Sequence, residues 1–405
     1  MKPIFACLPL CGLLAVALAA DGDKAEHAGE ADEAARETAT TRPAATLPRI
    51  AMLWSPAEIR GERVLDNIAR HDVIVIGPED LGLAWDAGEH RGLAERFQEG
   101  SAERAREMLD EIHERNPHAV VLVEQYFFED DKKAYPPNHE WWLRDEKGRK
   151  RSFWPGTWRM DVSNTEYGTH VARRIRAIHE ATDGRAGVFL DNVRYDNDSR
   201  IAWVALLKLV REMCGDEMPI LVNAGWLTED RKWLAPYVNG IMYEDSIHHR
   251  HGRMTEEGFY AHIAEIDSKL RSPRISVNEV FGKRADTDEM RRELIRTLIY
   301  TDMAFLYSDS THGHRHAWHE LWDAPLGEPV DEPCVPAEGR LARRAFAGGL
   351  VLWLPADAEE ARTVELDPPM RDAAADDAVT EVKLAPGEGV ILLSPDADAP
   401  TEAGP

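Results

Sequence analysis

Cysteine is scarce in this chain: four in 405 residues, at Cys7, Cys11, Cys214 and Cys334. No two stand as C-x-x-C, so cysteine zinc sites and thioredoxin-type motifs find no support. Positive charge is in deficit. The formal net charge is −25, and no basic block stands out against it. That balance argues against nucleic acid or an anionic membrane surface as partner, and it fits a neutral or cationic substrate. Long apolar runs are missing beyond the first twenty residues, so no later segment is expected to span a membrane. No H-E-x-x-H or other fixed zinc pattern occurs.

The one apolar run sits at the start. Lys2 is followed by an apolar stretch over residues 4–19, and Ala17-Leu18-Ala19 supplies an A-x-A-like cleavage site. This reads as a secretory signal over 1–20, and a secreted or periplasmic location follows from it. Leu8-Pro9-Leu10 before Cys11 is a poor lipoprotein signal, which disfavours a lipid anchor. Residues 21–48 are rich in Ala, Glu, Asp and Thr and lack aromatics, the composition of a disordered acidic linker.

From Arg49 the pattern alternates. Short apolar runs occur at 50–54, 73–77, 119–123, 187–190, 220–223, 240–244, 275–279 and 303–307. Helical spacing fills most of the intervals, at 101–115, 166–181, 199–213, 228–236, 255–271 and 286–300. Eight such units over 49–324 predict a (β/α)8 TIM barrel, an α/β fold; one strand fewer would leave an open doubly wound sheet. An aromatic insertion over 128–164 is too long for an ordinary connection. After about Pro325 helical spacing stops, and Gly- and Pro-punctuated short strands predict a small all-β sandwich over 325–394. A polar tail closes the chain at 395–405.

The strand ends carry the chemistry. Gly187-Val188-Phe189-Leu190 runs into Asp191 and Asn192, and Gly240-Ile241-Met242-Tyr243 runs into Glu244 and Asp245. Glu124 ends the third strand, Asn223 the fifth and Glu279 the seventh. In a barrel all of these converge on one mouth. Tyr126, Tyr243, Tyr307 and Trp226 are expected beside them. Paired carboxylates next to aromatic platforms suit glycoside hydrolysis: one attacks or stabilises the anomeric carbon while the other protonates the leaving oxygen. Taken singly, each acid is equally a helix N-cap.

Three stretches carry a resemblance: Gly187 to Asn192, Asn239-Gly240-Ile241-Met242-Tyr243-Glu244, and Trp158-Arg159-Met160-Asp161-Val162-Ser163-Asn164. They resemble bacterial glycoside-hydrolase-like TIM-barrel groups related to family 114 endo-α-1,4-polygalactosaminidases. The segment from Leu326 to Leu392 is similar to the small β-domain ending many such chains. In the wider clan that includes α-galactosidases, the nucleophile stands on the fourth strand and the acid/base on the sixth. The resemblance therefore implies Asp191 as nucleophile and Glu244 as general acid/base in a retaining mechanism on a polysaccharide or amino-sugar polymer. The clan's second residue is an aspartate, which leaves Asp245 as the alternative. Asp161 and Trp158 are implied as substrate contacts, with Glu124, Tyr126, Asn192, Asn223, Tyr243, Trp226 and Glu279 lining the site.

No cofactor is expected. Two histidine groups, His248-His249-x-His251 and His312-x-His314-x-His316-x-x-His319, follow the sixth and eighth strands. With Asp245 or Asp309 they offer imidazole and carboxylate donors, so a metal-dependent hydrolase is one rival reading. A carbohydrate-binding protein on a degenerate barrel is the other.

Overall fold

The computed structural model describes residues 47–193, 197–225, 231–245, 254–311, 313–335, 337–375 and 377–397. The expected signal segment, most of the acidic linker, and Trp226, His248, His249, His251 and His312 lie outside these residues.

Eight parallel strands form the central sheet: β1 (Ala51–Leu53), β2 (Val73–Ile76), β3 (Val120–Glu124), β6 (Gly187–Leu190), β7 (Ile220–Asn223), β8 (Gly240–Glu244), β9 (Val277–Gly282) and β10 (Ala304–Asp309), in that spatial order. A parallel bridge between Ile50 and Phe305 closes the ring, and the Phe305 amide donates to the Arg49 carbonyl at 2.8 Å. All eight expected strands are present, and the (β/α)8 barrel stands.

Side chains alternate across each strand. Leu53, Val75, Leu122, Phe189, Leu221, Met242, Val277 and Leu306 fill the barrel interior. Their neighbours Val188, Leu190, Ile220, Val222, Ile241 and Phe305 pack outward against the helices. Each full burial of this size stabilises by roughly 1.5–3 kcal/mol. Close strand contact requires Gly187: a Cβ there would meet the Pro219 carbonyl oxygen at 2.3 Å and Leu122 Cδ2 at 2.7 Å.

The helices are α1 (Val64–Ala69), α2 (Ser101–Arg115), α3 (Thr165–Ala181), α4 (Asn197–Cys214), α5 (Glu256–Asp267) and α6 (Thr287–Tyr300). Asn164 caps α3 by accepting from the Glu166 and Tyr167 amides, and Asp286 caps α6 through the Glu289 amide. A helix over 228–236 was expected, but residues 232–237 form turns. Cys214 and Cys334 are free thiols. Among the described residues no helix is long and apolar enough to cross a membrane.

The aromatic insertion is a built unit. β4 (Glu129–Asp131) and β5 (Thr157–Arg159) pair antiparallel. Buried Tyr135, Trp142 and Met160 anchor it to the main core, and Trp142 Nε1 donates to the Pro136 carbonyl at 2.9 Å.

Five antiparallel strands follow the barrel: β11 (Ala342–Phe346), β12 (Gly349–Leu354), β13 (Arg362–Asp372), β14 (Ala378–Leu384) and β15 (Glu388–Leu393), ordered β11-β12-β15-β13-β14. Leu366 and Leu384 meet Leu350, Leu352 and Leu354 in a separate small core. The buried Arg344 guanidinium fastens this unit to the barrel. It donates to the Leu298 and Thr301 carbonyls at 2.6 and 2.7 Å, the orphan acceptors at the end of α6.

Candidate active site

Strand parity builds the site. Because Leu122, Phe189, Leu221, Met242, Val277 and Leu306 point inward, residues two positions on point inward as well. These are Glu124, Asp191, Asn223, Glu244, Glu279 and Ser308. They form one polar layer above the apolar barrel interior, at the carboxyl ends of the strands.

Asn223 organises that layer. Its Nδ2 donates to Asp191 Oδ1 at 2.9 Å and to Glu244 Oε2 at 2.9 Å. Both oxygens lie 2.9 Å from one nitrogen, so they are no more than about 5.8 Å apart, twice that distance. The Asn223 carbonyl oxygen accepts from the Gly225 amide at 2.7 Å, which sets the orientation of the amide group. On the other side of Asp191, Asn192 Nδ2 donates to Asp191 Oδ2 at 2.7 Å and to Glu129 Oε1 at 2.9 Å. Glu129 belongs to β4, so the insertion reaches the reacting layer through one side chain.

A second pair faces the first. His314 Nδ1 lies 2.8 Å from Glu279 Oε1, and Ser308 Oγ donates to the same oxygen. Glu279 is fully buried, and its Oε2 has no hydrogen-bond partner among the described residues. The Trp54 ring packs edge-on against His314 and Phe189. Three non-glycine residues at this rim hold left-handed backbone: Trp54 (φ 59°), Asn192 (φ 54°) and Asp245 (φ 48°). Strain of this kind persists only where surrounding contacts over-determine it. Asn192 and Asp245 each follow the strand bearing Asp191 or Glu244.

Electrostatics separate the acids. Burial, then the Glu244 charge, raises the Asp191 carboxyl to about 6, against opposing bonds from Asn192 and Asn223 and the charge of His314. Burial, then Asp191, raises Glu124 to about 8, although Tyr126 and Trp54 hydrogen-bond its carboxyl. Burial works against the His314 imidazolium, but Glu279, Glu244 and Asp191 outweigh it and raise the ring to about 9.

Not every expected site residue converges here. Asp191, Asn192, Asn223, Glu244, Glu279 and Glu124 do, with Tyr126 joined through Glu124. Tyr243 does not: it alternates with Met242 and Glu244, so its ring is buried in the outer core. Tyr307 likewise faces outward and donates to Glu289 Oε2 on α6 at 2.8 Å. The Asp245 side chain is buried and accepts from the Phe281 amide at 3.1 Å, which ties it to the end of β9. Asp161 accepts from the Ser163 amide and hydroxyl in the turn leading to the α3 cap. Trp158 packs on Trp142 within the insertion. The histidine row is dispersed: His314 meets Glu279, His316 hydrogen-bonds His71 at 2.9 Å, and His319 packs on Trp322.

Glu129, Trp54 and Ser308 were not among the expected site residues, although Trp54 closes the first apolar run. For Ser308 the strand parity was available as a signal. For Trp54 and Glu129 no local signal existed.

Among the described residues, Glu244, Glu279 and His314 bring ligand atoms within 4.8 Å of one another. Imidazole and carboxylate are ordinary metal donors, although the His314 proton shared with Glu279 competes for the same position.

Comparisons with known proteins agree with this architecture. No curated protein sequence matches the chain. Its fold is similar to that of a noncanonic maltogenic alpha-amylase, AmyB, from Thermotoga neapolitana (TM-score 0.52, 13% identity, covering 85% of this chain and 98% of that one). It is also similar to Eubacterium rectale Amy13B (TM-score 0.51, 10% identity, covering 85% and 94%). At such identities the likeness is one of fold alone: a TIM barrel. Residues 113–350, more than half of the sequence and the stretch containing Glu124, Asp191, Asn223, Glu244, Glu279 and His314, match one family profile, and the chain belongs to that family, GHL15, described as hypothetical glycosyl hydrolase family 15.

Proposed function

We propose that this protein hydrolyses a polysaccharide by a retaining mechanism in which Asp191 is the nucleophile and Glu244 the general acid/base. The observation that carries the reading is the shared donor: Asn223 Nδ2 lies 2.9 Å from an oxygen of each acid. Oxygens no more than about 5.8 Å apart fall short of the ~6.5–9.5 Å that inversion uses to admit its water, and this supports covalent attack.

In the first step an Asp191 oxygen forms a bond to the anomeric carbon. The glycosidic C–O bond breaks, and the Glu244 proton passes to the leaving oxygen. In the second step water attacks the same carbon, Glu244 takes its proton, and Asp191 leaves as the carboxylate. Asp191 and Glu244 are coupled, and a single proton between them serves the first step. The His314 charge, held by Glu279, favours the ionised nucleophile. The apolar N-terminal segment supports export, with a carbohydrate outside the cell membrane as substrate.

The test is a panel of neutral, amino and anionic polysaccharides assayed for new reducing ends. Wild type should release them from at least one polymer. Asp191→Asn should lower that rate by at least ~10³-fold. Full activity in the variant would remove Asp191 from the chemistry. Glycan retention without any release by wild type would instead favour a binding-only barrel.

A further inference from the structure

The net charge conceals a local reversal. Residues 132–159 hold eight Lys or Arg against three Asp or Glu, while the whole chain has 48 against 73. Five of the eight residues from Arg144 to Arg151 are basic, which corrects the expectation of a chain without a basic block. The fold concentrates them. A turn at 145–148, with Gly148 at φ 74°, is held by Asp145 Oδ1, which accepts from the Lys147 and Arg149 amides at 2.9 Å each. The same carboxylate pairs with the Arg149 guanidinium. Its charge is therefore committed to the turn.

Arg144, Lys147 and Arg151 are exposed. None of them, nor Lys132, Lys133 or Lys150, has a carboxylate in ion-pair range among the described residues. The cations also crowd one another: burial, then Arg144 and Lys132, lowers the Lys150 ammonium. Aromatic rings interleave with them. Lys150 Nζ lies 2.9 Å and Lys132 Nζ 5.7 Å from the centre of the Trp158 ring. Trp154 is 37% exposed, with Phe153 packed edge-on beside it.

We infer that this insertion is a docking surface for an anionic polysaccharide, one that repeats carboxylate or sulfate groups along its chain. Unpaired cations meet the charges, and Trp154 offers a face for a pyranose ring. Surface fields reach only about 8–10 Å in physiological salt, so the local excess acts despite the acidic remainder. The surface leads to the reacting layer. Thr157 Oγ1 donates to Glu129 Oε2 at 3.3 Å, and Glu129 Oε1 accepts from Asn192 beside Asp191. The flanking acidic protein disfavours a duplex nucleic acid, which would extend past the insertion. This extends the glycan-hydrolase reading by naming a substrate class, and it is tested by binding without turnover.

The full-length protein and its Asp191→Asn variant are titrated by affinity electrophoresis with polygalacturonate, dextran sulfate, neutral dextran and duplex DNA. Both proteins should be retarded by polygalacturonate or dextran sulfate, the stronger of the two identifying the anion. Retardation should weaken as NaCl rises, and neutral dextran should have little effect. The triple variant Arg144→Glu, Lys147→Glu, Arg151→Glu should bind at least about tenfold more weakly at an unchanged melting temperature. A triple variant with a lowered melting temperature is replaced by the Arg151→Glu single variant, which should lose affinity in the same direction. Equal binding by wild type and variant, no retardation by either anionic glycan, dextran binding as tight as theirs, or DNA binding as tight as theirs would each overturn the inference. Any of these results leaves the role of Asp191 untouched, because that role is read from reducing-end release.

Discussion

Asp191 and Glu244 take hydrogen bonds from one and the same nitrogen, Nδ2 of Asn223, at 2.9 Å each. The donor sits on β7, between the strands that carry the two acids. It fixes their spacing and offsets their repulsion. Asn223→Leu keeps the side-chain shape and removes the donor. Glycan hydrolysis should fall by about 10²-fold in kcat/KM, the scale of losing one preorganised donor. A loss below threefold would mean that Asn223 does not hold the pair.

The alkaline side of the pH–rate profile should report the shared proton. Burial and the Glu244 charge raise the Asp191 carboxyl to about 6, so the pair keeps its single proton below about 6 and loses it above. The rate should therefore fall as pH rises through about 6. His314 lowers the Asp191 value through its positive charge. In His314→Asn that charge is gone, so the falling limb should move to higher pH. A limb that stays in place would disconnect His314 from the nucleophile.

Glu124 should cost stability at neutral pH. Its folded-state value is raised from 4.5 to about 8. A carboxyl raised in this way stabilises the fold below its unfolded value, and the contribution is lost as pH rises through the folded one. Glutamine carries no proton to lose. The melting temperature of Glu124→Gln should exceed that of wild type by a margin that grows from pH 5 to pH 8 and then levels off. A margin that shrinks with rising pH would contradict the burial of Glu124 as a charge.

Most of this layer was legible in the residues. Apolar runs ending in acids located the third, fourth, sixth and seventh strand ends, and the strand count placed Asp191 and Glu244 on the fourth and sixth. Tyr243 was misplaced because strand parity was not applied: if Glu244 faces inward, the residue before it faces the helices. Glu129 could not be read, since it reaches Asn192 from 63 positions away through the fold of an insertion. Trp54 depends on left-handed backbone at a bulky residue, which no local pattern announces. The helix expected over 228–236 rested on apolar spacing alone, and its described part closes into turns.

Gly187 begins the strand that carries Asp191, and no Cβ fits there. The Pro219 carbonyl oxygen that a Cβ would meet at 2.3 Å also accepts from the Val188 amide at 2.9 Å. Gly187→Ala must displace the β6–β7 ladder. It should destabilise the protein by about 1–3 kcal/mol in urea unfolding, the usual range for overpacking. An unchanged midpoint would show slack between these strands.

The central claim is that Asp191 attacks the sugar while Glu244 protonates the leaving oxygen. Its most direct test is the configuration of the first product. Hydrolysis of the polymer that wild type cleaves is followed by proton NMR of the anomeric signal, before mutarotation. The account predicts that the first-formed reducing end keeps the anomeric configuration of the bond that was cut. An inverted first product would contradict it and would require the two carboxyl groups to work across a water instead.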